Sequence, residues 1–331
     1  MNDVKEYICE KPERLDIFLA TQISQTRSQI AQLIKQEVVF IDNKLVSRPG
    51  IKLKAGQRIV VKFPQPQIEE VNSNLLEEVD WAKDVQIIFE DDDVLVINKP
   101  SGVTVHPAPS VNEPTLVDWL KFKGIRLSTI SGEERHGIVH RLDKGTSGAM
   151  VIAKNNEAHE FLSKQLQDKS MGRYYLAIIA PPLKDDITTI ESNIGRSSSN
   201  RLKMAAGLEH GKVAKTMFKQ LILSNDEKMQ LIACKLFTGR THQIRVHLES
   251  LHRHIIGEHL YAQSPKMEKS ERILLHAYVI YFIHPRTKEV LSFEAKYDEY
   301  MNQFIEKKFD MEKINEVIQT KYITNSFTTN I

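Results

Sequence analysis

Most apolar runs in this 331-residue chain are strand-length and follow one another with no helix between them. They include "VLVINK" (94–99), "GIV" (137–139), "AMVIA" (149–153), "RYYLAIIA" (173–180), "MQLIACKL" (229–236), "ILLHAYVIYFI" (273–283) and "VLSFEAKY" (290–297). Parallel neighbours need a long crossover connection, whereas antiparallel neighbours need only a turn. The pattern therefore predicts an α+β fold: a mixed, mainly antiparallel sheet with flanking helices, and not a doubly wound parallel sheet. Helical spacing is confined to a few stretches. Leu15, Phe18 and Leu19 mark one helix. A second follows Thr26, a candidate N-cap, with Ile30, Leu33 and Ile34 as its stripe. "TLVDWLKF", "NEAHEFLSKQLQ" and "YMNQFIEKKF" mark others, the second capped by Asn155 or Asn156.

Charge divides the chain. Residues 1–63 carry a net +4, residues 64–93 a net −9, and the remainder +7. Two basic bodies joined by an acidic strip suit a polyanion partner, with the acids solvating the connector. The domain reading is a small α+β unit over 1–64, an acidic linker over 65–85, a larger domain over 86–315 and a polar, frayed tail over 316–331. No apolar run reaches 18 residues, so no membrane span is expected. The first residues lack the apolar segment of a signal peptide. Cys9 and Cys234 stand far apart with no Cys-x-x-Cys partner, which suits a reducing compartment, and a cytoplasmic monomer is expected.

Two stretches carry chemistry. In "HRLDKGTSG" (140–148), Asp143 lies between Arg141 and Lys144, and Gly145 to Gly148 permit a sharp turn between two buried-looking strands. A neighbouring cation favours the charged form of a carboxylate, which can then serve as nucleophile, base or stabiliser of positive charge. A lone loop aspartate more often caps a turn. In "TGRTHQIRVH" (238–247), Arg240 and Arg245 suit phosphate contact. His242 and His247 are five apart, not a same-face helical spacing, so they are expected to pack, hydrogen-bond or touch a ligand, and no metal is expected. Tyr174 and Tyr175 should point to opposite faces of a strand, one into the core and the other free to stack on a base.

Together these stretches resemble the RluA-type pseudouridine synthases. "VLVINKPSGVTVHP", "HRLDKGTSG", "RYYLA", "TGRTHQIRVHL" and "LLHAYVIYFIHP" occur in that family's order over about 86–300. The first fifth, with "RLDIFLA", "TRSQIAQLI", "VVFIDNKLV" and "IKLKAGQRIVV", resembles the S4 RNA-binding domain. Two positions depart from its pattern: Glu37 stands where a glycine is usual, and Asp42-Asn43 replaces an Asn-Gly turn.

The resemblance implies conversion of uridine to pseudouridine with no cofactor, in large-subunit (23S) ribosomal RNA as in RluD-like enzymes, or alternatively in transfer RNA. It implies that Asp143 initiates the reaction, that Tyr175 stacks on the uracil and assists proton transfer at C5, and that Arg245 pairs with Asp143. Arg141 would contact RNA beside the flipped nucleotide, and Leu275 would wall the uracil pocket. His140 and Arg240 complete the expected substrate contacts, and Arg14, Arg27, Lys35 and Arg48 the RNA face of the S4 unit. Glu258 replaces an aspartate, outside the pocket, and is expected to be tolerated. Two other readings remain: a non-catalytic RNA-binding factor of ribosome assembly, and a hydrolase pairing Asp143 with a histidine. The intact set Asp143, Tyr175 and Arg245 argues against the first, and the want of a second carboxylate or metal ligands in the motifs argues against the second.

Overall fold

A computed structural model of the chain describes residues 4–23, 25–63, 79–108, 111–131, 135–200, 202–261 and 268–327. The amino-terminal unit is built on β1 (Val4–Ile8), α1 (Leu15–Gln22), α2 (Arg27–Lys35), β2 (Val39–Ile41), β3 (Lys44–Val46) and β4 (Arg58–Lys62). Its strands pair in the order β1-β4-β2-β3, all antiparallel. The apolar stripes of both helices close on the sheet, with Leu15, Leu19, Ile30, Leu33, Ile34 and Val61 buried. Thr26 caps α2 as expected: its hydroxyl accepts from the Gln29 amide, and the Gln29 side chain accepts from the Thr26 amide. The β2–β3 turn keeps positive φ at both Asp42 (49°) and Asn43 (65°). A two-residue hairpin turn of the I′ type requires this backbone, and Asp and Asn tolerate it. Glu37 also takes the left-handed conformation, with φ 60°. At Glu37 the departure from glycine is absorbed as local backbone strain.

The larger domain contains β5 (Gln86–Glu90), β6 (Val94–Lys99), α3 (Leu116–Phe122), β7 (Ser147–Ala153), α4 (Asn156–Asp168), β8 (Gly172–Ala180), β9 (Ile187–Arg196), β10 (Met204–Ala206), β11 (Lys212–Leu223), β12 (Gln230–Leu236), α5 (Gln243–Ser250), β13 (His254–Ile255), β14 (Leu275–Ile283), β15 (Val290–Glu294), α6 (Glu299–Lys308), α7 (Met311–Val317) and α8 (Thr320–Asn325). Its sheet runs β10-β9-β11-β12-β8-β14-β7-β6-β5, with β13 added to β8 and β15 to β14. Only β14 with β7 is parallel among the described pairs, so the predicted mixed, mainly antiparallel sheet is what forms. Central β8 alternates between two cores. Tyr175, Ala177 and Ile179 enter one, and Tyr174, Leu176 and Ile178 the other. Burial on both faces is why this strand reads as an unbroken apolar run.

Three expectations are corrected. "GIV" is not a strand; Ile138 makes a single bridge to Ile152, so the loop holding Asp143 leads into one strand, β7, instead of joining two. The stretch 316–331 is not a polar tail as far as it is described, because α8 buries Ile323, and Phe327 packs on Tyr174 with ring centroids 5.5 Å apart. Most of the acidic linker lies outside the described residues. Its end packs on the larger domain, where Trp81 meets the core and Trp119 Nε1 donates to the Ala82 carbonyl at 3.0 Å. No helix among the described residues is long and apolar enough to cross a membrane.

Candidate active site

Asp143 sits in the loop just before β7, and the way that loop is held explains its composition. The Thr146 amide donates to the Asp143 carbonyl at 3.0 Å, closing a tight turn. At Gly148, φ is 120°, and a Cβ would lie 2.3 Å from the Ala277 carbonyl oxygen. Only glycine allows β7 to meet β14 there in parallel. Below the loop lies Lys99, fully buried at the end of β6. Its ammonium donates to the carbonyls of Pro100 (2.8 Å), Val103 (2.9 Å) and Lys144 (3.4 Å), tying two loops together next to Asp143. Burial pushes the Lys99 pKa down to about 7, and the charge of Asp143 opposes that push.

A cavity opens above this loop. Asp143, Arg141 and Thr146 from this loop line it together with Tyr175, Leu275, Arg240, His242 and Arg245. Tyr175 on β8 lies opposite Cys234 on β12 and Ala277 on β14, small neighbours that leave room for its ring. It is 4 % exposed, and burial raises its phenol pKa. Arg245 projects from α5 with its Nη1 3.8 Å from Asp143 Oδ2, an ion pair without hydrogen-bond contact.

The tighter hold on Arg245 comes from Glu258. Its carboxylate accepts from Nε at 2.6 Å and from Nη2 at 2.8 Å, and also takes the amides of Leu260 (2.8 Å) and Tyr261 (3.2 Å). Burial pushes the Glu258 carboxyl up, but Arg245 and the two amides outweigh it and hold it below the usual range. Glu258 does not line the cavity, in keeping with its expected place outside the pocket, yet it fixes the arginine that does. Gly257 before it has φ 79° and lies where a Cβ would fall 1.9 Å from the Arg272 carbonyl oxygen. Tyr261 stacks under the Arg245 guanidinium, 5.2 Å from ring centroid to Cζ, and its hydroxyl meets His242 Nδ1 at 2.7 Å.

The remaining expected residues divide. Arg141 does not turn to Asp143; its exposed guanidinium donates to His106 Nε2 at 3.1 Å. Arg240 donates through Nε to the Val213 carbonyl at 3.0 Å and keeps a place on the cavity wall. His140 does not line the cavity that holds Asp143; it is buried, with Nε2 accepting the Val151 amide at 3.1 Å, a hold on β7. His247 is also buried, against the Thr216 hydroxyl at 2.9 Å. Arg14 and Arg27 are committed to Asp16, at 3.0 and 2.6 Å, whereas Lys35 and Arg48 are exposed. Sequence reasoning did not single out Lys99, Arg173 or Tyr261. Arg173 is 8 % exposed and lines the cavity beside Tyr175; it stood in the "RYYLA" stretch all along, one residue before the tyrosine pair. One cluster with metal-ligand geometry exists among the described residues, Asp91, Asp93 and His284, and Arg286 binds Asp93 through two hydrogen bonds there.

Comparison with known proteins places the chain in a family. The model of the RNA pseudouridylate synthases matches residues 93–250, and that of the S4 domain residues 13–59. A Helicobacter pylori protein described as an uncharacterized RNA pseudouridine synthase is 46 % identical over 95 % of this chain and 96 % of its own length. The chain belongs to the RNA pseudouridine synthase family. A Zymomonas mobilis relative named ribosomal large subunit pseudouridine synthase D is 36 % identical, covering 86 % of this synthase and 90 % of the relative. In fold, the chain is similar to human RNA pseudouridylate synthase domain containing 1, with TM-score 0.58 and 21 % identity over 73 % of this chain and 98 % of that one. This synthase is thus an isomerase with an S4 RNA-binding domain ahead of its catalytic sheet.

Proposed function

We propose that this enzyme isomerises specific uridines of large-subunit ribosomal RNA, with Asp143 as the residue that starts the reaction. The observation that carries the assignment is the setting of Asp143: a carboxylate lining the same cavity as Tyr175 and Leu275, with the Arg245 guanidinium 3.8 Å away. Isomerisation breaks the bond between N1 of uracil and C1′ of the ribose, turns the detached base, joins C5 to C1′ and releases the C5 proton. The uridine must first leave its stack, at a cost of a few kcal/mol. Tyr175 offers the face and Leu275 the apolar wall that keep the base while it turns. Asp143 acts at the sugar–base bond. Arg245, clamped by Glu258, keeps the carboxylate aimed without tying it up in a hydrogen bond. The isomerisation needs no redox partner.

The ribosomal target rests on the relative named for the large ribosomal subunit. Cys9 and Cys234 are free and buried, which suits work in a reducing cytoplasm. The test is to map pseudouridines in ribosomal and transfer RNA from cells lacking this chain, complemented with wild type or Asp143→Asn. Loss of defined large-subunit sites, restored by wild type alone, is the expected result. Loss confined to transfer RNA would move the substrate, and restoration by Asp143→Asn would remove Asp143 from the mechanism.

A further inference from the structure

A second cleft joins the catalytic cavity to the amino-terminal domain. Arg141, Arg173, Leu236, Gly239 and Arg240 line both, so the two are continuous. Gln25, Thr26 and Gln29, at the start of α2, also line it. The described lining includes the cations Arg135, Arg141, Lys169, Arg173, Lys235 and Arg240 and no aspartate or glutamate. A cleft with one sign of charge collects polyanions.

Two further observations narrow the ligand. Gln25, Gln29, Ser131 and His159 form a polar seam between the domains: Gln29 Nε2 donates to Ser131 Oγ at 3.2 Å, which meets His159 Nε2 at 2.9 Å. Both Gln25 Nε2 and His159 Nδ1 are buried there without a hydrogen-bond partner, on residues 9 % and 1 % exposed that line the cleft. Buried polar groups are seldom left unpaired: the Gln25 amide awaits an acceptor, and His159 Nδ1 awaits a donor or an acceptor according to the ring's tautomer. The half-buried ring of Phe237 also lines the cleft, with the ammonium groups of Lys215 and Lys235 at 5.7 and 5.3 Å from its centroid. An aromatic face between cations is a platform for an unpaired base.

We infer that this cleft holds the single-stranded nucleotides flanking the target uridine, with phosphates on Arg135, Lys169 and Lys235, a base on Phe237, a base or phosphate oxygen on the Gln25 amide, and the polar edge of a base on His159. The inference rests on the reading that the Asp143 cavity takes a uridine of RNA. It assigns the amino-terminal domain a direct part in forming the binding site, through the start of α2.

The experiment uses the full chain and fluorescein-labelled oligouridylates of about three and twelve nucleotides, with Kd measured against salt by anisotropy. Arg135 and Lys169 are exposed, so Arg135→Glu/Lys169→Glu should fold; Lys313→Glu, outside the cleft, is the control. The double variant should bind the longer oligomer at least tenfold more weakly than wild type. It should also lower the slope of log K against log salt by about 1.4, two single-strand contacts of about 0.7 each. The short oligomer and the control should change far less. As a second readout, a longer oligomer carrying 4-thiouridine should cross-link to the segment around Phe237. Wild-type affinity in the double variant, or cross-links confined to other surfaces, would overturn the inference. Release of tritium from 5-tritiated uridines in ribosomal RNA separates the two readings. Release by wild type with no loss of binding in the double variant sinks the cleft alone. Cleft binding without release from any RNA sinks the functional reading and leaves the cleft.

Discussion

Each domain sets an aspartate among arginines, and the two are held very differently. In the amino-terminal domain, Asp16 is almost wholly buried and takes hydrogen bonds from Arg14 at 3.0 Å and from Arg27 at 2.6 Å. Burial pushes its carboxyl up, and the two guanidinium groups more than reverse that, leaving it below the usual range. In the catalytic domain, Asp143 keeps 22 % of its side chain exposed and stands 3.8 Å from an arginine that Glu258 already holds at 2.6 and 2.8 Å. A saturated carboxylate locks structure. One with an aimed cation nearby and free lone pairs can act on a substrate. Arg14 and Arg27, expected as RNA contacts, both pair with Asp16 while keeping about half of their side chains exposed.

The largest stability effect expected from breaking this contrast is at Arg245. Arg245→Leu leaves Glu258 buried and uncompensated, which should cost about 3–5 kcal/mol in urea unfolding as well as activity. A loss below about 1 kcal/mol would mean that Glu258 is not the structural half of the site.

Acid should separate the domains next. Burial lowers His159 to about 3 and His247 and His276 to about 4, whereas residues 1–63 contain no histidine. Between about pH 6.5 and 4 the unfolded chain therefore binds more protons than the folded catalytic domain. Stability rises with pH across that window and is lost on acidification, by up to about 3 kcal/mol per histidine. Asp16, with its lowered pKa, keeps its contribution until the pH falls into the carboxylate range. Trp81 and Trp119 are the chain's two tryptophans and both pack in the catalytic core, so their fluorescence should report unfolding before far-ultraviolet dichroism shows loss of the amino-terminal domain. Coincident transitions would contradict this.

Asp16→Asn should cost about 1–2 kcal/mol, because the partly exposed Arg14 and Arg27 return to water while the buried side chain keeps fewer partners. The catalytic step should survive, and its loss would show that Asp16 reaches the active site. The smallest effect is at Glu37, whose φ of 60° strains any side chain; Glu37→Gly should stabilise the amino-terminal domain by about 0.5–1 kcal/mol, read as a rise in its unfolding midpoint.

The sheet and the helices with clear stripes were legible because they rest on local period, whereas the grouping of Asp143, Tyr175 and Arg245, which lie in three separate motifs, was legible only through the family resemblance. What stayed hidden depends on distant partners. β1 (Val4–Ile8) has no fully buried position along its length and little apolar contrast, and its pairing with β4 makes it a strand. Lys99 ends an apolar run as an ordinary polar residue would, and only three carbonyls from two separate loops make its burial tolerable. Glu258 looked remote because it stands thirteen positions beyond Arg245; the α5-to-β13 return brings them together. Ile323 and Phe327 are isolated apolar residues in a polar stretch, and their burial depends on the face around Tyr174.

The most direct test of the central claim is tritium release from 5-tritiated uridines of large-subunit ribosomal RNA by purified wild-type enzyme and Asp143→Asn. Joining C5 to C1′ expels the C5 hydrogen, so release counts isomerisation events. Wild type should release tritium at defined sites, and Asp143→Asn should fall by at least about 10³-fold while unfolding at the wild-type urea midpoint. Release by Asp143→Asn at the wild-type rate would contradict the account.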